Sequence, residues 1–268
     1  MRRTRVKATT FLGGGRITSA LVAGLQSAKY KTRIVIHDRN PQKLRELKRA
    51  FGVPVQADLH KAIAMADMLV IAVRPVSTRE LLTQVGTINR RIVAVSLAAG
   101  IPLKNLCAQL GPPVIWARAM PSPVCRTRRG LTAIAYSEGM RRSERTKIRN
   151  LFNAVGTVLE IPENNFDAFT VSFSPSHGYH ALAKLAAAAE KAGLDAKTAL
   201  TAAAHALADA IESWREGTTP LADLLQEAAT PGGTAAATIA QMDNAGYSRI
   251  LARALRKGMA QAKRNANL

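Results

Sequence analysis

The stretch Phe11-Leu12-Gly13-Gly14-Gly15-Arg16-Ile17-Thr18-Ser19-Ala20 constrains the fold more than any other. An apolar run ends in three glycines, and a helix-compatible sequence follows at once. Strand, tight glycine turn and helix, in that order, open the first βαβ unit of a doubly wound sheet. Gly13 supplies the turn, and Gly15 lets the backbone approach a pyrophosphate. Arg16 and Ile17 begin the helix, whose unpaired N–H groups and positive dipole end favour a phosphate. Thr18 stands where the third glycine of a G-x-G-x-x-G pattern would pack helix on strand, so a slightly wider contact is expected there. The bland alternative is a glycine-rich turn in some other α/β protein. Its place in the first βαβ unit favours dinucleotide binding.

The pattern continues. Arg33–Ile36, Met68–Val73, Ile92–Val95 and Val114–Trp116 read as strands, the second a continuous apolar run expected of a strand buried on both faces. Amphipathic stretches lie between them, among them Pro41–Phe51 with proline at a first helical position. The first part of the chain is therefore an α/β Rossmann domain with a parallel, doubly wound sheet. Composition shifts near Pro162. From Asn165 onward no strand is expected, and alanine-rich helices are predicted over 179–192, 196–216, 221–229 and 247–266, separated by glycines and prolines. The expected division is 1–161 for the Rossmann domain and 162–268 for an all-α helical domain. The helices' apolar faces look too broad for a monomeric bundle, which predicts a homodimer or higher homo-oligomer through that domain.

The formal net charge of +20 over 268 residues raises nucleic acid as a partner. The arginines are scattered, however, and the densest cluster, Arg141 to Arg149, reads as one exposed helix. Aromatic residues for stacking are scarce. Charge alone therefore carries little, and nucleic acid is set aside. No apolar run approaches the roughly 20 residues needed to span a bilayer. The basic start Met1-Arg2-Arg3-Thr4-Arg5 lacks the apolar stretch of a signal peptide, so it reads as a solvated tail. Cys107 and Cys125 form no disulfide or metal pattern and read as reduced and structural. No metal site is expected, and a cytoplasmic location follows by default.

At the end of the second strand, His37-Asp38-Arg39-Asn40-Pro41 bears on the cofactor. An acidic residue there holds ribose hydroxyls, as Asp38 would for NADH. An arginine there holds a 2′-phosphate, as Arg39 would for NADPH. The reading leans to NADPH with NADH as the alternative; a plain surface charge at Arg39 would favour neither.

Four further segments, in order, resemble pyrroline-5-carboxylate reductases over nearly the whole chain: Ala72-Val73-Arg74-Pro75, Ser96-Leu97-Ala98-Ala99-Gly100-Ile101, Arg118-Ala119-Met120-Pro121 and Pro231-Gly232-Gly233-Thr234. The resemblance implies a reductase that transfers a hydride from NAD(P)H to a cyclic imine. It implies that Val73, Arg74 and Pro75 lie beside the cofactor, Arg74 replacing the family's lysine. It further implies that Ala98 and Gly100 line the nicotinamide side and that Met120, Pro121 and Ser122 border it, Ser122 replacing an asparagine.

On the substrate side the resemblance implies roles for Thr230, Thr234 and a loop opening the long central helix. Here that loop reads Phe173-Ser174-Pro175-Ser176-His177-Gly178-Tyr179. Two of the family's glycines are gone, Pro175 has removed an N–H donor, and Ala235 replaces a hydroxyl residue. His177 sits where backbone N–H groups should hold the substrate carboxylate. It could bind that carboxylate or donate a proton, or it could be a solvated helix-start residue. His180 reads as packing on the helix. Lys184 resembles the catalytic lysine of β-hydroxyacid dehydrogenases, but Ala188 stands where that role needs an asparagine or aspartate. Altered loops leave three alternatives beside proline formation: another imine or carbonyl substrate, a non-catalytic dinucleotide-binding protein, or, on charge alone, a nucleic-acid binder.

Overall fold

The structure is a computed structural model that describes residues 8–266; the basic start Met1–Arg5 lies outside the described residues. The chain forms two compact units, one running to Val171 and regaining the chain from Gly258, the other Ser172–Lys257.

The first unit is built on seven strands: β1 Ala8–Leu12, β2 Arg33–His37, β3 Ala66–Ile71, β4 Ile92–Ser96, β5 Val114–Pro121, β6 Gly130–Tyr136 and β7 Gly156–Glu160. They lie in the order β2-β1-β3-β4-β5-β6-β7. The first five are parallel. The sheet is mixed rather than wholly parallel, because β5 and β6 run antiparallel and β6 and β7 then pair in parallel. The sequence reading missed both β6 and β7. β7 is a short edge strand with no fully buried residue, so it lacks the continuous apolar run of the central strands.

The two-residue period of a strand divides the core into two layers. Phe11, Met68, Val70, Val93, Val95, Ala117 and Ala119 face one side of the sheet. Leu12, Leu69, Ile71, Ile92, Ala94, Val114 and Trp116 face the other. Helices α1 (Arg16–Ser27), α2 (Pro41–Phe51) and α6 (Arg142–Asn153) cover the first layer with Leu21, Leu25, Leu47 and Phe152. Helices α3 (Leu59–Met65), α4 (Thr78–Val85), α5 (Leu103–Gln109) and α7 (Phe166–Ser172) cover the second with Ile63, Leu82, Leu106 and Phe166.

Helix α6 is the one expected from the Arg141–Arg149 cluster, and its start is tied down by Glu144. This carboxylate accepts from the Arg141 N–H at 2.8 Å and from Arg91 at 2.7 and 2.8 Å. It is the half of a capping box that reaches back to the N-cap. The Arg91 hydrogen bonds hold its carboxyl below the usual glutamate range. A depressed carboxylate adds stability above its unfolded pKa and loses it as pH falls through the folded one. Glu144→Gln is therefore expected to lower the unfolding free energy at pH 7, with the gap to the wild type closing below about pH 4. Urea unfolding at pH 7 and pH 3 checks this; a gap independent of pH would refute it.

The second unit holds α8 (Pro175–Lys191), α9 (Ala196–Glu216), α10 (Leu221–Ala228), α11 (Thr234–Asn244) and the first part of α12 (Tyr247–Ala266). Helix α8 starts four residues before the predicted Tyr179. The Ser174 hydroxyl caps Ser176 and Pro175 fills the first helical position. Asp195 caps α9 through the Lys197 and Thr198 N–H groups at 3.0 and 3.1 Å. Helix α11 was not anticipated, because Pro231-Gly232-Gly233 masked its start. Small side chains, Ala186, Ala199 and Ala203, are buried in this unit. By contrast Leu200, Ile211, Trp214, Leu221, Leu225 and Ile250 stand about half exposed or more.

Candidate active site

The glycine turn lies at the C-terminal ends of β1 and β2, where a doubly wound sheet binds its ligand. Gly13 has φ +114°, and a Cβ there would meet the Ala72 carbonyl oxygen at 2.6 Å. This position requires glycine twice over. Gly14 donates to Asp38 Oδ2 at 2.7 Å, which ties the turn to the end of β2. At Gly15 a Cβ would meet nothing within 4 Å. Gly15 is also the N-cap of α1, and no side chain caps it. The first-turn N–H groups of this helix are thus left for a ligand. Thr18 is not a spacer: its buried hydroxyl donates to the Gly13 carbonyl at 2.6 Å and fastens the helix to the turn. The close helix approach occurs instead at Gly24, where a Cβ would lie 2.1 Å from the Cys125 carbonyl oxygen.

A cleft of about 910 Å³ opens over this turn. It brings together Gly13, Gly15, Arg16, Asp38, Arg39, Val73 and Arg74 of the residues singled out in the sequence. Ser77, Lys43 and Arg126 also line it, and the sequence reading had not named them. Arg126 belongs to a 3-10 turn after Ser122 that no periodicity announces. The cleft fits a dinucleotide in its chemistry: an uncapped helix end with an open Cα that a pyrophosphate could approach, and a carboxylate and a guanidinium, Asp38 and Arg39, on its wall. Asp38 spends one oxygen on Gly14 and the other on Asn40 N–H, at 2.8 Å. Arg39 reaches Glu80 at 3.8 Å, both side chains largely exposed, which is a weak pair.

The other residues expected on the cofactor side do not line this cleft and sit elsewhere in the first unit. Ile17 and Pro75 adjoin the cleft in sequence without lining it. Ala98 is buried behind Ser96, whose hydroxyl accepts its N–H at 3.3 Å. Gly100 is held by packing: at φ +78° its Cα faces the end of α12, and a Cβ would lie 2.5 Å from the Ala262 carbonyl oxygen. Met120 and Pro121 end β5. The Ser122 hydroxyl accepts from Val124 N–H at 3.2 Å, capping the turn that carries Arg126.

At this edge a buried arginine meets two half-buried carboxylates, an ionic cluster that the sequence reading passed over. Arg118 on β5 is 1% exposed, yet it donates to Glu163 and Asp167, each at 2.9 Å, and lies 4.2 Å over the Phe166 ring. Glu163 also accepts the Leu103 N–H at 2.9 Å. The signal was a charge inside an apolar strand, Trp116-Ala117-Arg118-Ala119-Met120.

Comparison with known proteins places the chain. Residues 9–100 match the family described as NADP oxidoreductase coenzyme F420-dependent, and residues 163–265 match the pyrroline-5-carboxylate reductase dimerisation family. The pyrroline-5-carboxylate reductase of Thermus thermophilus is 33% identical over 84% of this chain and 85% of its own. That of Synechocystis sp. is 30% identical over 91% of this chain and 93% of its own. The chain belongs to the pyrroline-5-carboxylate reductase family. Its fold matches a solved reductase of this family from Coxiella burnetii with a TM-score of 0.86 at 25% identity, covering 96% of this chain and 98% of that one. It is thus an NAD(P)-dependent oxidoreductase acting on a C=N bond, with the family's helical dimerisation domain.

The residues expected on the substrate side lie in the second unit. His177 is on the first turn of α8, its N–H donating to the Ser174 carbonyl at 3.0 Å, and its side chain is exposed. His180 is exposed too, not packed on the helix as expected. Thr234 is the first residue of α11. Thr230 lies beside Gly233, whose missing Cβ would come within 2.9 Å of the Thr230 hydroxyl. Gly233 is an uncapped N-cap, so the first turn of α11 also presents unpaired N–H groups. Both cysteines are free thiols, and burial pushes Cys125 up to about 11 and Cys107 upward as well, as suits structural rather than reactive thiols. Among the described residues no helix is long and apolar enough to cross a membrane.

Proposed function

We propose that this protein reduces pyrroline-5-carboxylate to proline with NADPH, working as a cytoplasmic homodimer through its helical unit. Family membership supports the reaction. The observation that carries the cofactor site is the open Cα of Gly15 on an uncapped helix end. The family's dimerisation match begins at residue 163, which supports a functional boundary near residue 162. The exposed apolar side chains of α9, α10 and α12 support a partner surface.

NADPH, when bound, supplies the hydride that reduces the C=N bond. The chain's own residues do the rest. Gly13 to Ile17 hold the pyrophosphate, Arg39 and Lys43 hold the 2′-phosphate, and Val73, Arg74, Met120, Pro121 and Ser122 wall the nicotinamide side with Ala98 and Gly100 behind. Thr230 and Thr234, with the N–H groups of the α11 first turn, hold the substrate carboxylate. His177 holds the same carboxylate or delivers the proton to the imine nitrogen. An imine carbon is already electrophilic, so placement and water exclusion are the main demands.

NADPH preference rests on Arg39. Removing a charged hydrogen bond costs about 1.5–3 kcal/mol, or roughly 10- to 100-fold in affinity. Arg39→Ala is expected to weaken NADPH by that factor and leave NADH nearly unchanged. Glu80→Gln is expected to tighten NADPH, because Glu80 is the carboxylate beside Arg39. Equal wild-type affinities for both cofactors would reverse the assignment in favour of Asp38.

The test of the whole reading is NADPH oxidation against pyrroline-5-carboxylate and a panel of cyclic imines. His177→Ala is expected to lower turnover far more than His180→Ala. Robust proline formation untouched by His177→Ala would leave the carboxylate to the backbone alone. NADPH binding without turnover of any imine would overturn the proposal. A second reading, another cyclic imine, has one observation behind it. The Ser174 hydroxyl bonds Ser176 Oγ at 2.6 Å and its N–H at 3.4 Å, so the loop's remaining donors are partly spent.

A further inference from the structure

The net charge is not spread evenly. The second unit, Ser172–Lys257, carries eight lysines and arginines against eight aspartates and glutamates, so the whole +20 belongs to the rest of the chain. Part of that charge collects at the end of the sheet opposite the dinucleotide cleft. There the turn before β2 and one side of α6 enclose a second cleft, of about 620 Å³, at the N-terminal ends of β1 and β3. It shares no lining residue with the first cleft. Lys29 and Lys31 come from the turn, Lys147, Asn150 and Asn153 from α6, and Asp67 from β3. Asp67 is already bound to Lys147 at 2.8 Å. Among the described residues Lys29 and Lys31 form no ion pair.

The backbone at Lys29 fixes that side chain at the cleft wall. Helix α1 ends with Lys29 N–H donating to the Gln26 carbonyl and Tyr30 N–H to the Leu25 carbonyl, each at 2.9 Å. This is the Schellman arrangement, whose left-handed residue is usually glycine. Here it is Lys29, at φ +52°. An L side chain is held in a conformation that disfavours it, and that side chain lines the cleft. A glycine would end the helix at less strain, and the lysine's charge beside the last carbonyls of α1 offsets part of that strain.

We propose that this cleft is a second anion site, taking a small ligand with an oligophosphate group. Lys29 and Lys31 supply the charge, and the Asn150 and Asn153 amides supply neutral donors on the facing wall. The cleft has the size of a small-molecule site rather than of a groove that tracks a polymer. Asp67, neutralised by Lys147, leaves the balance positive.

The test uses the full chain saturated with NADPH, titrated calorimetrically with inorganic tripolyphosphate at low and physiological salt. Binding is expected to persist under NADPH saturation and to weaken at least tenfold in the double variant Lys29→Gly, Lys31→Ala. NADPH oxidation by that variant should be unchanged. Lys29→Gly alone should raise the Tm, which shows that the variant folds and that the strain is real. Tripolyphosphate binding that vanishes under NADPH saturation would place it in the first cleft and overturn the proposal. Unchanged affinity in the double variant, or no binding at low salt, would do the same. Binding of a single-stranded oligonucleotide that tightens with length would assign the charge to a polymer surface instead.

Discussion

Gly15→Val is expected to abolish NADPH binding while leaving the protein folded. A Cβ at this position meets no atom within 4 Å, and the residue already has the extended backbone that valine favours, φ −81° and ψ −174°. As an N-cap glycine without a side-chain bond, it gives up little on replacement, on the order of 1 kcal/mol or less. The branched side chain would project into the space where a pyrophosphate must meet the first-turn N–H groups of α1. Affinity should fall by at least about 100-fold, the equivalent of roughly 2.8 kcal/mol. Gly13→Val makes the contrast. Its Cβ would lie 2.6 Å from the Ala72 carbonyl and its φ is +114°, so that variant should lose the fold before it loses the ligand. Fluorescence titration with NADPH, alongside thermal unfolding, separates the two. If Gly15→Val keeps wild-type affinity, the dinucleotide binds elsewhere.

What the sequence disclosed follows from how local each signal is. The β1 turn, the α1 start and the central strands rest on neighbours within a few residues, and each was readable. Strand β7 was not, because it is an exposed edge without a continuous apolar run. Strand β6 was passed over although it is buried along most of its length, since Gly130 and the small residues Thr132, Ala133 and Ala135 dilute its apolar signal. Helix α11 was hidden by glycines that in fact cap it. In the site, Gly13, Gly15, Asp38, Arg39, Val73 and Arg74 were legible because they sit at strand ends that any doubly wound sheet turns toward its ligand. Gly100 looked like a cleft residue. Its need for glycine comes from Ala262, distant in sequence, and no local pattern shows it. Likewise Arg39 announced a phosphate, while its partner Glu80 arrives from another helix. Arg118 was visible as a charge in an apolar strand, but Glu163 and Asp167 could be matched to it only through the fold.

Arg118→Ala is expected to be the most damaging single substitution away from the cleft. Removing the partner of a buried ion pair costs about 3–5 kcal/mol. The remaining carboxylates, 32% and 19% exposed, keep some water, so a cost at or below the low end, about 2–3 kcal/mol, is expected. Here two carboxylates would be left, one of which also anchors α5 through Leu103 N–H. Among the described residues, Arg118 Nε and Glu163 Oε2 are buried without a hydrogen-bond partner. The cluster's hydrogen bonds tie β5 to the start of α7 and to the turn before it. The end of β5 is Met120-Pro121, the edge assigned to the nicotinamide side, and α7 is the last element of the first unit before the chain passes Val171. The triple variant Arg118→Met, Glu163→Gln, Asp167→Asn removes all three charges together and should recover most of the lost stability. If the cluster also positions the β5 edge, that variant should still show reduced kcat while its Tm is near wild type. Full recovery of both would make the cluster a packing device only. A single variant Arg118→Ala as stable as the wild type would mean that the two carboxylates find other partners or take up protons.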